Sequence, residues 1–243
     1  MKNRRRGLAL IFNYEQFDPD LQMNPRFGSN TDCTNLERSL KGLGFDVRVF
    51  KDYKKSEVNS ELDKATKEDH SNADCLLVVY MSYGTRDKDN VYAYDGKLPM
   101  KTITDKFKGT ECKTLVRKSK IFIWQVCCEN EEEAHDAMMK RKTLAGPASV
   151  KTIPAAADFI MCYAVAKGSF SHRHIEKGSW YIQDLCTILE KYGNSLEFTR
   201  LLTLVNREVA KREDRTITNQ GIKTKQIPCF ASMLTKKLYF QTK

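Results

Sequence analysis

The stretch KIFIWQVCCEN, residues 120–130, decides the fold of this chain. Its apolar run, residues 121–124, is bulky, β-branched and aromatic, which predicts a short strand buried on both faces. Gln125 and two thiols, Cys127 and Cys128, follow at the carboxyl end of that strand. Open α/β sheets place their ligand sites at such strand ends. The alternative, which position alone leaves open, is that both cysteines are small buried hydrophobic residues.

Segments with strand and helix patterns alternate along the rest of the chain. Strands are expected at residues 7–13, 46–50, 74–81, 121–124, 159–165 and 226–233, and helices at 31–44, 56–70, 179–192 and 196–211. This alternation predicts an α/β fold with a mostly parallel central sheet of about six strands and helices on both faces. Pro228 favours an edge or interface position for the last strand.

The composition is that of a globular protein of one large domain or two small ones, with 243 residues of which 41% are hydrophobic. No apolar run reaches the roughly 20 residues of a membrane helix, and the start lacks a signal-peptide cleavage site. We therefore expect a cytoplasmic protein without membrane contact. The eight cysteines are scattered without paired CxxC spacing, which predicts reduced thiols and no metal or other cofactor.

The net charge of +10 raises the possibility of nucleic-acid binding. The 41 basic residues are, however, mixed with 31 acidic ones, and no predicted helix carries a continuous basic stripe. Such mixed charge is typical of a solvated surface. Because charge without a binding motif is only the first of the features that binding requires, no nucleic-acid partner is expected.

One composition break interrupts the chain at residues 129–150, where an acidic run, a basic cluster and Ala-Gly-Pro follow one another. This segment lacks the apolar residues to build a core, so we interpret it as an exposed linker. The prediction is a single domain over residues 1–243, divided by this linker into residues 1–128 and 151–243.

Five groups of residues resemble one known family. They are Gln-Val-Cys-Cys-Glu at 125–129, Met-Ser-Tyr-Gly at 81–84, residues 151–159, Ser171-His172-Arg173 with residues 178–183, and the carboxyl-terminal residues 226–240. The first resembles the Gln-Ala-Cys-Arg/Gln-Gly motif around the caspase nucleophile. The others resemble the caspase Met-Ser-His-Gly motif, the start of the small subunit, the substrate-cleft strand with its following helix, and the executioner-type terminus.

The resemblance implies the fold and activity of a caspase, a cysteine protease that cuts after aspartate. It makes residues 1–128 similar to the large subunit and 151–243 to the small subunit. Cys127 takes the nucleophile position, and Gly84 takes the oxyanion-hole position with the Cys127 amide. The residues that would receive the substrate's aspartate are Arg26, Gln125, Ser171 and Arg173. Guanidinium and amide groups supply fork-shaped donors that suit a carboxylate.

The main departure from the family is Tyr83, which stands where caspases have their catalytic histidine. A phenol has an ordinary pKa of about 10, so it offers no base at pH 7. An unactivated thiol, with an ordinary pKa of about 8.5, is only a few per cent thiolate. Losing acid–base help costs roughly 10²- to 10⁴-fold in rate. Glu129 is a second departure, since it replaces the glycine of the motif and could distort the turn.

These departures lead to the expectation of a non-enzyme. The chain would be an inactive or severely impaired caspase homologue that regulates an active caspase in apoptosis-type signalling. It would pair with an active paralogue, or with itself, through the strand at residues 226–233.

Two alternatives remain open. The first is an active aspartate-specific endopeptidase with a rearranged site, in which His172, His174 or a water acts as base. The second is a decoy that binds caspase substrates through Arg26, Gln125 and Arg173 without cutting them. His70 and His135 are expected to be surface residues, because a base must come within hydrogen-bond reach of the nucleophile.

Overall fold

The computed structural model describes residues 3–85, 89–128, 157–166, 173–213 and 225–241, with the backbone alone at positions 127 and 128. In chain order the strands are β1 (Leu8–Asn13), β2 (Asp46–Lys51), β3 (Cys75–Gly84), β4 (Asn90–Ala93), β5 (Gly96–Pro99), β6 (Ser119–Cys128), β7 (Phe159–Tyr163), β8 (Arg173–His174), β9 (Gly178–Ser179) and β10 (Cys229–Ser232). The α-helices are α1 (Ser29–Gly42), α2 (Lys55–Lys67), α3 (Met100–Asp105), α4 (Trp180–Tyr192) and α5 (Phe198–Lys211). Short 3₁₀ turns occupy Pro19–Leu21 and Lys113–Leu115.

The main sheet runs in the order β10-β7-β6-β3-β1-β2, and β4 with β5 extends it beyond the end of β3. The four inner pairings, from β2 to β7, are parallel, and only β10 on the outer side of β7 is antiparallel along this path. The predicted α/β class, the mostly parallel sheet of about six strands and the flanking helices are thus confirmed. All five carboxyl ends of the parallel strands lie at one edge, where the candidate site is built.

Two hydrophobic clusters show why the inner strands are apolar throughout. Alternate strand residues, such as Leu77 and Ile123, pack with α1, α4 and α5 on one face. The residues between them, such as Val78 and Trp124, pack with α2 and α3 on the other face. Since side chains of a strand alternate between its two sides, a strand covered on both faces must be hydrophobic at every position. This is the pattern that residues 121–124 displayed.

A buried ion pair closes the opposite edge of the sheet, at the amino ends of the strands. The side chains of Arg6 and Asp74 are each 1% exposed, with 3.5 Å between Nη1 and Oδ2. Arg6 also donates from Nε to the Leu43 carbonyl at 2.9 Å and from Nη2 to the Gln241 carbonyl. Its guanidinium carbon lies 5.6 Å from the centre of the Phe240 ring. One side chain therefore ties the first strand to the last residues described.

Several boundaries differ from the sequence-based expectations. Strands β3 and β6 are each ten residues long and extend past the predicted ends, to Gly84 and Cys128. Strand β10 is shorter than the predicted 226–233, and the segment from β4 to α3 was not predicted. The predicted linker at residues 129–150 lies outside the described residues, so its expected exposure is untested.

Helix α1 begins earlier than expected, which changes the role of one residue. Its N-cap is Gly28, with a φ of +87°, so the helix starts at Ser29 and the predicted start at residue 31 is wrong. The chain turns sharply there because glycine adopts positive φ without steric cost. Asp32 lies in the first turn and is free to accept hydrogen bonds from another element.

Within the ranges given above, no helix combines the length and apolarity needed to cross a membrane. The same residues contain no group of three or more His, Cys, Asp and Glu side chains that could hold a metal ion.

Candidate active site

The candidate site is built where β3 and β6 end side by side. In the parallel register of these strands, Tyr83 is the Cα partner of Cys127 and Gly84 is the partner of Cys128. Adjacent strands lie about 4.8 Å apart, so position 83 and the candidate nucleophile occupy the same level of the sheet. The two motifs are far apart in the sequence but lie side by side in the fold.

Tyr83 is packed as an aromatic ring and exposes 9% of its surface. Its ring centre lies 5.4 Å from that of Phe17. The guanidinium carbon of Arg26 lies 5.7 Å from the same ring, within the range of a cation–π contact. Tyr83 is paired with Cys127 in the sheet, and its ring contacts Arg26, one of the candidate substrate-binding arginines.

Gly84 occupies a position that no side chain could fill without displacement. An added Cβ would lie 2.3 Å from Cγ1 of Val126 and 3.2 Å from the Asn90 carbonyl oxygen. Both neighbours belong to elements that pair with the end of β3. Glycine at this position therefore lets β4 and β6 pack directly against the end of β3.

Arg26 and Gln125 are both buried, each with 0% exposure. Nη1 of Arg26 donates to the carbonyl oxygens of Tyr14, at 2.6 Å, and Met81, at 2.9 Å. Met81 is in turn the Cα partner of Gln125. Arg26 is thus anchored to backbone carbonyls, one of which belongs to the residue paired with Gln125.

Arg173 reaches the same region from the β8–β9 hairpin. It is half-buried, and its Nε donates to the Phe27 carbonyl at 2.9 Å. Phe27 is the residue that follows Arg26 in the chain, so the two predicted arginines are held next to one another. Ser171, the remaining predicted contact for substrate, lies outside the described residues.

Asp32 is the functional candidate that the sequence interpretation missed. Its carboxylate, 1% exposed, accepts the Ser179 backbone N–H at 2.9 Å to Oδ1 and 3.0 Å to Oδ2. Burial raises the pKa of Asp32 from 3.8 to about 6, although the Ser179 hydrogen bonds and the charges of Arg26 and Arg173 lower it. No local pattern could have revealed this contact, since its partners are 147 residues apart.

Of the four histidines, His135 and His172 lie outside the described residues, and His70 does not lie where a base for Cys127 is needed. His70 is buried, contacts the Ala65 carbonyl through Nε2 at 2.7 Å and precedes the amino end of β3. The strand's rise of about 3.3 Å per residue places Cys75, the first residue of β3, roughly 26 Å from residue 83. The expectation that His70 is a surface histidine is wrong. His174 is exposed, and its Nδ1 accepts the backbone N–H groups of Glu176 and Lys177 at 3.1 and 3.3 Å.

Comparisons with known proteins give strong similarity over the full chain. It is 49% identical to caspase-6 of Gallus gallus, with 100% of this chain and 83% of that protein covered. It is 46% identical to caspase-6 of Mus musculus, with 99% and 90% covered. Caspase-7 of Gallus gallus is 35% identical, with 99% and 79% covered. Such identity points to an enzyme, so the expectation of a non-catalytic regulator that acts by heterodimer formation is wrong.

The sheet order and the site agree with a match to one family over nearly the whole chain. The family model described as "Caspase domain" matches residues 6–239. This range contains every described strand and helix. The chain belongs to the caspase family.

Proposed function

We propose that this protein is a cysteine endopeptidase that cuts peptides after aspartate, with Cys127 as its nucleophile. The observation that carries the proposal is the identity of almost one half to caspase-6 across the entire chain. The position of Cys127 at the carboxyl end of β6 supports it, because ligand sites of open α/β sheets gather at such ends. The anchored arginines near that end supply the charge that an aspartate side chain requires.

The other roles follow from the same arrangement. The backbone N–H groups of Gly84 and Cys127 would stabilise the oxyanion that forms when the thiolate attacks the carbonyl carbon. Arg26, Gln125 and Arg173, together with Ser171, would receive the carboxylate of the substrate. Charge-assisted hydrogen bonds from guanidinium groups are about twice as strong as neutral ones, which favours aspartate over asparagine at this subsite.

Proton transfer must come from a group other than residue 83. The tyrosine ring is packed against Phe17 and Arg26, and the buried His70 lies at the far end of β3. The proposed base is therefore His172, His174 or a water molecule near Cys127. A weakly placed base would leave turnover below that of a caspase with histidine at position 83, since positioned acid–base groups contribute roughly 10²- to 10⁴-fold.

The test is turnover of a fluorogenic peptide whose cleavage site follows aspartate, using the purified full chain. Activity should be abolished by Cys127→Ala and retained by Cys128→Ala, which removes the neighbouring thiol as a matched control. Replacing the substrate's aspartate with asparagine should lower kcat/KM by about tenfold or more, as expected for the loss of a charge-assisted contact. Absence of turnover, or turnover that survives Cys127→Ala, would refute the proposal.

We also propose that residues 1–128 and 151–243 form large- and small-subunit-like parts joined by a linker, in a cytoplasmic protein that pairs with a second copy of itself. Along the described sheet β10 pairs only with β7, and its other edge is open. Ile227, just before β10, is 53% exposed. Light scattering should give the mass of a dimer, and Ile227→Asp should give a monomer. A native chain that remains monomeric at micromolar concentration would contradict this pairing.

A further inference from the structure

We infer that Asp32 is a positioning residue for substrate recognition, which holds the β8–β9 hairpin so that Arg173 stays beside Arg26. The inference rests on the proposed function, because it assigns the two arginines to the substrate's carboxylate. Asp32 itself does not touch the proposed substrate. It acts through the hairpin that carries Arg173.

The first step is the pairing inside the hairpin. Ser179, whose N–H binds the Asp32 carboxylate, is the Cα partner of Arg173 in the antiparallel β8–β9 pair. Helix α4 begins directly after Ser179, so the same contact also fixes the start of that helix. A movement of Ser179 away from α1 would therefore carry Arg173 with it.

The second step is the close fit between the carboxylate and Gly178. A Cβ at Gly178 would lie 2.1 Å from Oδ1 of Asp32, and the residue has a φ of +83°. Glycine is the residue that adopts this conformation without strain and leaves room for a close approach. The backbone of the hairpin thus packs directly against the Asp32 side chain.

The third step is that other contacts join the same two elements. Arg173 Nε binds the Phe27 carbonyl at 2.9 Å, and the Thr31 hydroxyl donates to the Glu176 carbonyl at 3.1 Å. A Cβ on Gly28 would lie 2.5 Å from the His174 carbonyl oxygen. The hairpin is therefore docked along the start of α1, which itself follows Arg26.

The charges around Asp32 support the same role. Arg26 and Arg173 are the cations that act on its carboxylate. The thiols that interact with it, Cys33 on α1 and Cys186 on α4, have pKa values raised to about 12 by burial, so they are neutral at pH 7. One buried anion thus offsets the mutual repulsion of two guanidinium groups that must share one substrate carboxylate.

The experiment measures peptide binding rather than turnover, in a Cys127→Ala background. Fluorescence anisotropy gives Kd for a labelled peptide containing aspartate and for the same peptide with asparagine in place of that aspartate. Asp32→Ala should weaken binding of the aspartate peptide about tenfold or more, which is the range for losing a charged hydrogen bond. It should change binding of the asparagine peptide at most about twofold. Asp32→Asn keeps an oxygen acceptor for the Ser179 N–H but lacks the negative charge, so it should restore part of the affinity.

Two further variants separate positioning from general loss of stability. Gly178→Ala keeps the carboxylate but forces it away from the hairpin, and it should reproduce the effect of Asp32→Ala. Glu197→Ala is the matched control, since Glu197 is a buried carboxylate that accepts backbone N–H groups from Thr199 and Leu238. It should lower stability without changing peptide binding.

The outcomes distinguish this inference from the proposed function. If Asp32→Ala and Gly178→Ala bind the aspartate peptide as the parent does, the inference is refuted even where the native chain turns over substrate. If the native chain shows no turnover but binding depends on Asp32, the inference stands and the proposed catalysis falls. Equal losses for both peptides, or a parent that does not prefer aspartate, would also overturn it. In an active native background, Asp32→Ala should raise KM about tenfold while kcat changes less than twofold.

Discussion

The raised pKa of Asp32 predicts that replacing it with asparagine will change protein stability in a pH-dependent way. The carboxyl group titrates near its ordinary pKa of 3.8 in the unfolded chain and at about 6 in the folded protein. Below about pH 4 it is protonated in both states. Between these two values the folded state holds a proton that the unfolded state has lost, so the contribution of this group to stability falls as pH rises through about 6.

The size of the effect follows from the same two values. One pKa unit corresponds to about 1.4 kcal/mol, so ionised Asp32 should cost about 2.5 kcal/mol at pH 7 relative to pH 4, where the unfolded carboxyl is already partly ionised. Solvent screening should not reduce this free-energy cost, because only 1% of Asp32 is exposed. Asparagine does not titrate. The unfolding free energy of Asp32→Asn, compared with that of the native chain, should therefore improve by about 2.5 kcal/mol between pH 4 and pH 7.

Urea denaturation at several pH values between 4 and 7.5 measures this difference directly, since titration of all other groups is common to both proteins. Asp32→Ala serves as the control. It should give the same pH slope with a constant offset of about 1 kcal/mol or more for the lost hydrogen bonds. A difference between native chain and Asp32→Asn that stays flat across this range would refute the reasoning.

Three other changes test other parts of the structure. Tyr83→His places an imidazole at the Cα partner of Cys127 and should raise kcat/KM for an aspartyl peptide about 10²- to 10⁴-fold; an unchanged rate would show that another base already serves the thiol. Gly84→Ala should lower activity because its Cβ would lie 2.3 Å from Cγ1 of Val126, and adding Val126→Ala should restore part of it in steady-state kinetics. Failure of that second substitution to help would exclude the steric explanation. Asp74→Ala removes the carboxylate from a buried ion pair and should cost about 3–5 kcal/mol in urea denaturation; a loss below about 1 kcal/mol would contradict the pair's isolation from solvent.

The central strands could be predicted from the sequence because their environment is uniform. Residues 75–81 and 121–124 pack against helices on both faces, so their apolar runs are nearly unbroken. The segment from β4 to α3 was harder because its strands are only four residues each. The Asp95-Gly96 dipeptide is a hairpin signal and could have indicated the turn between them.

The candidate site was predicted only in part, because its contacts join distant segments. Cys127, Tyr83 and Gly84 could be placed together by strand ends and spacing. The contact of Asp32 with the β8–β9 hairpin depends on a fold that brings α1 to residues far along the chain. The prediction of a non-enzyme was wrong because it gave one substituted position, Tyr83, more weight than the similarity of the remaining chain could support.

The parallel pairing of β6 with β7 has a consequence for how the two parts of the chain stay associated. Five residue pairs, from Lys120 with Phe159 to Trp124 with Tyr163, join strands on either side of residues 129–156. Arg6 adds a second link, from the first part to the carbonyl of Gln241. A protein nicked between these strands would yield two fragments that co-migrate under native conditions and separate only in denaturant. Covalent continuity across that segment is dispensable for the integrity of the sheet.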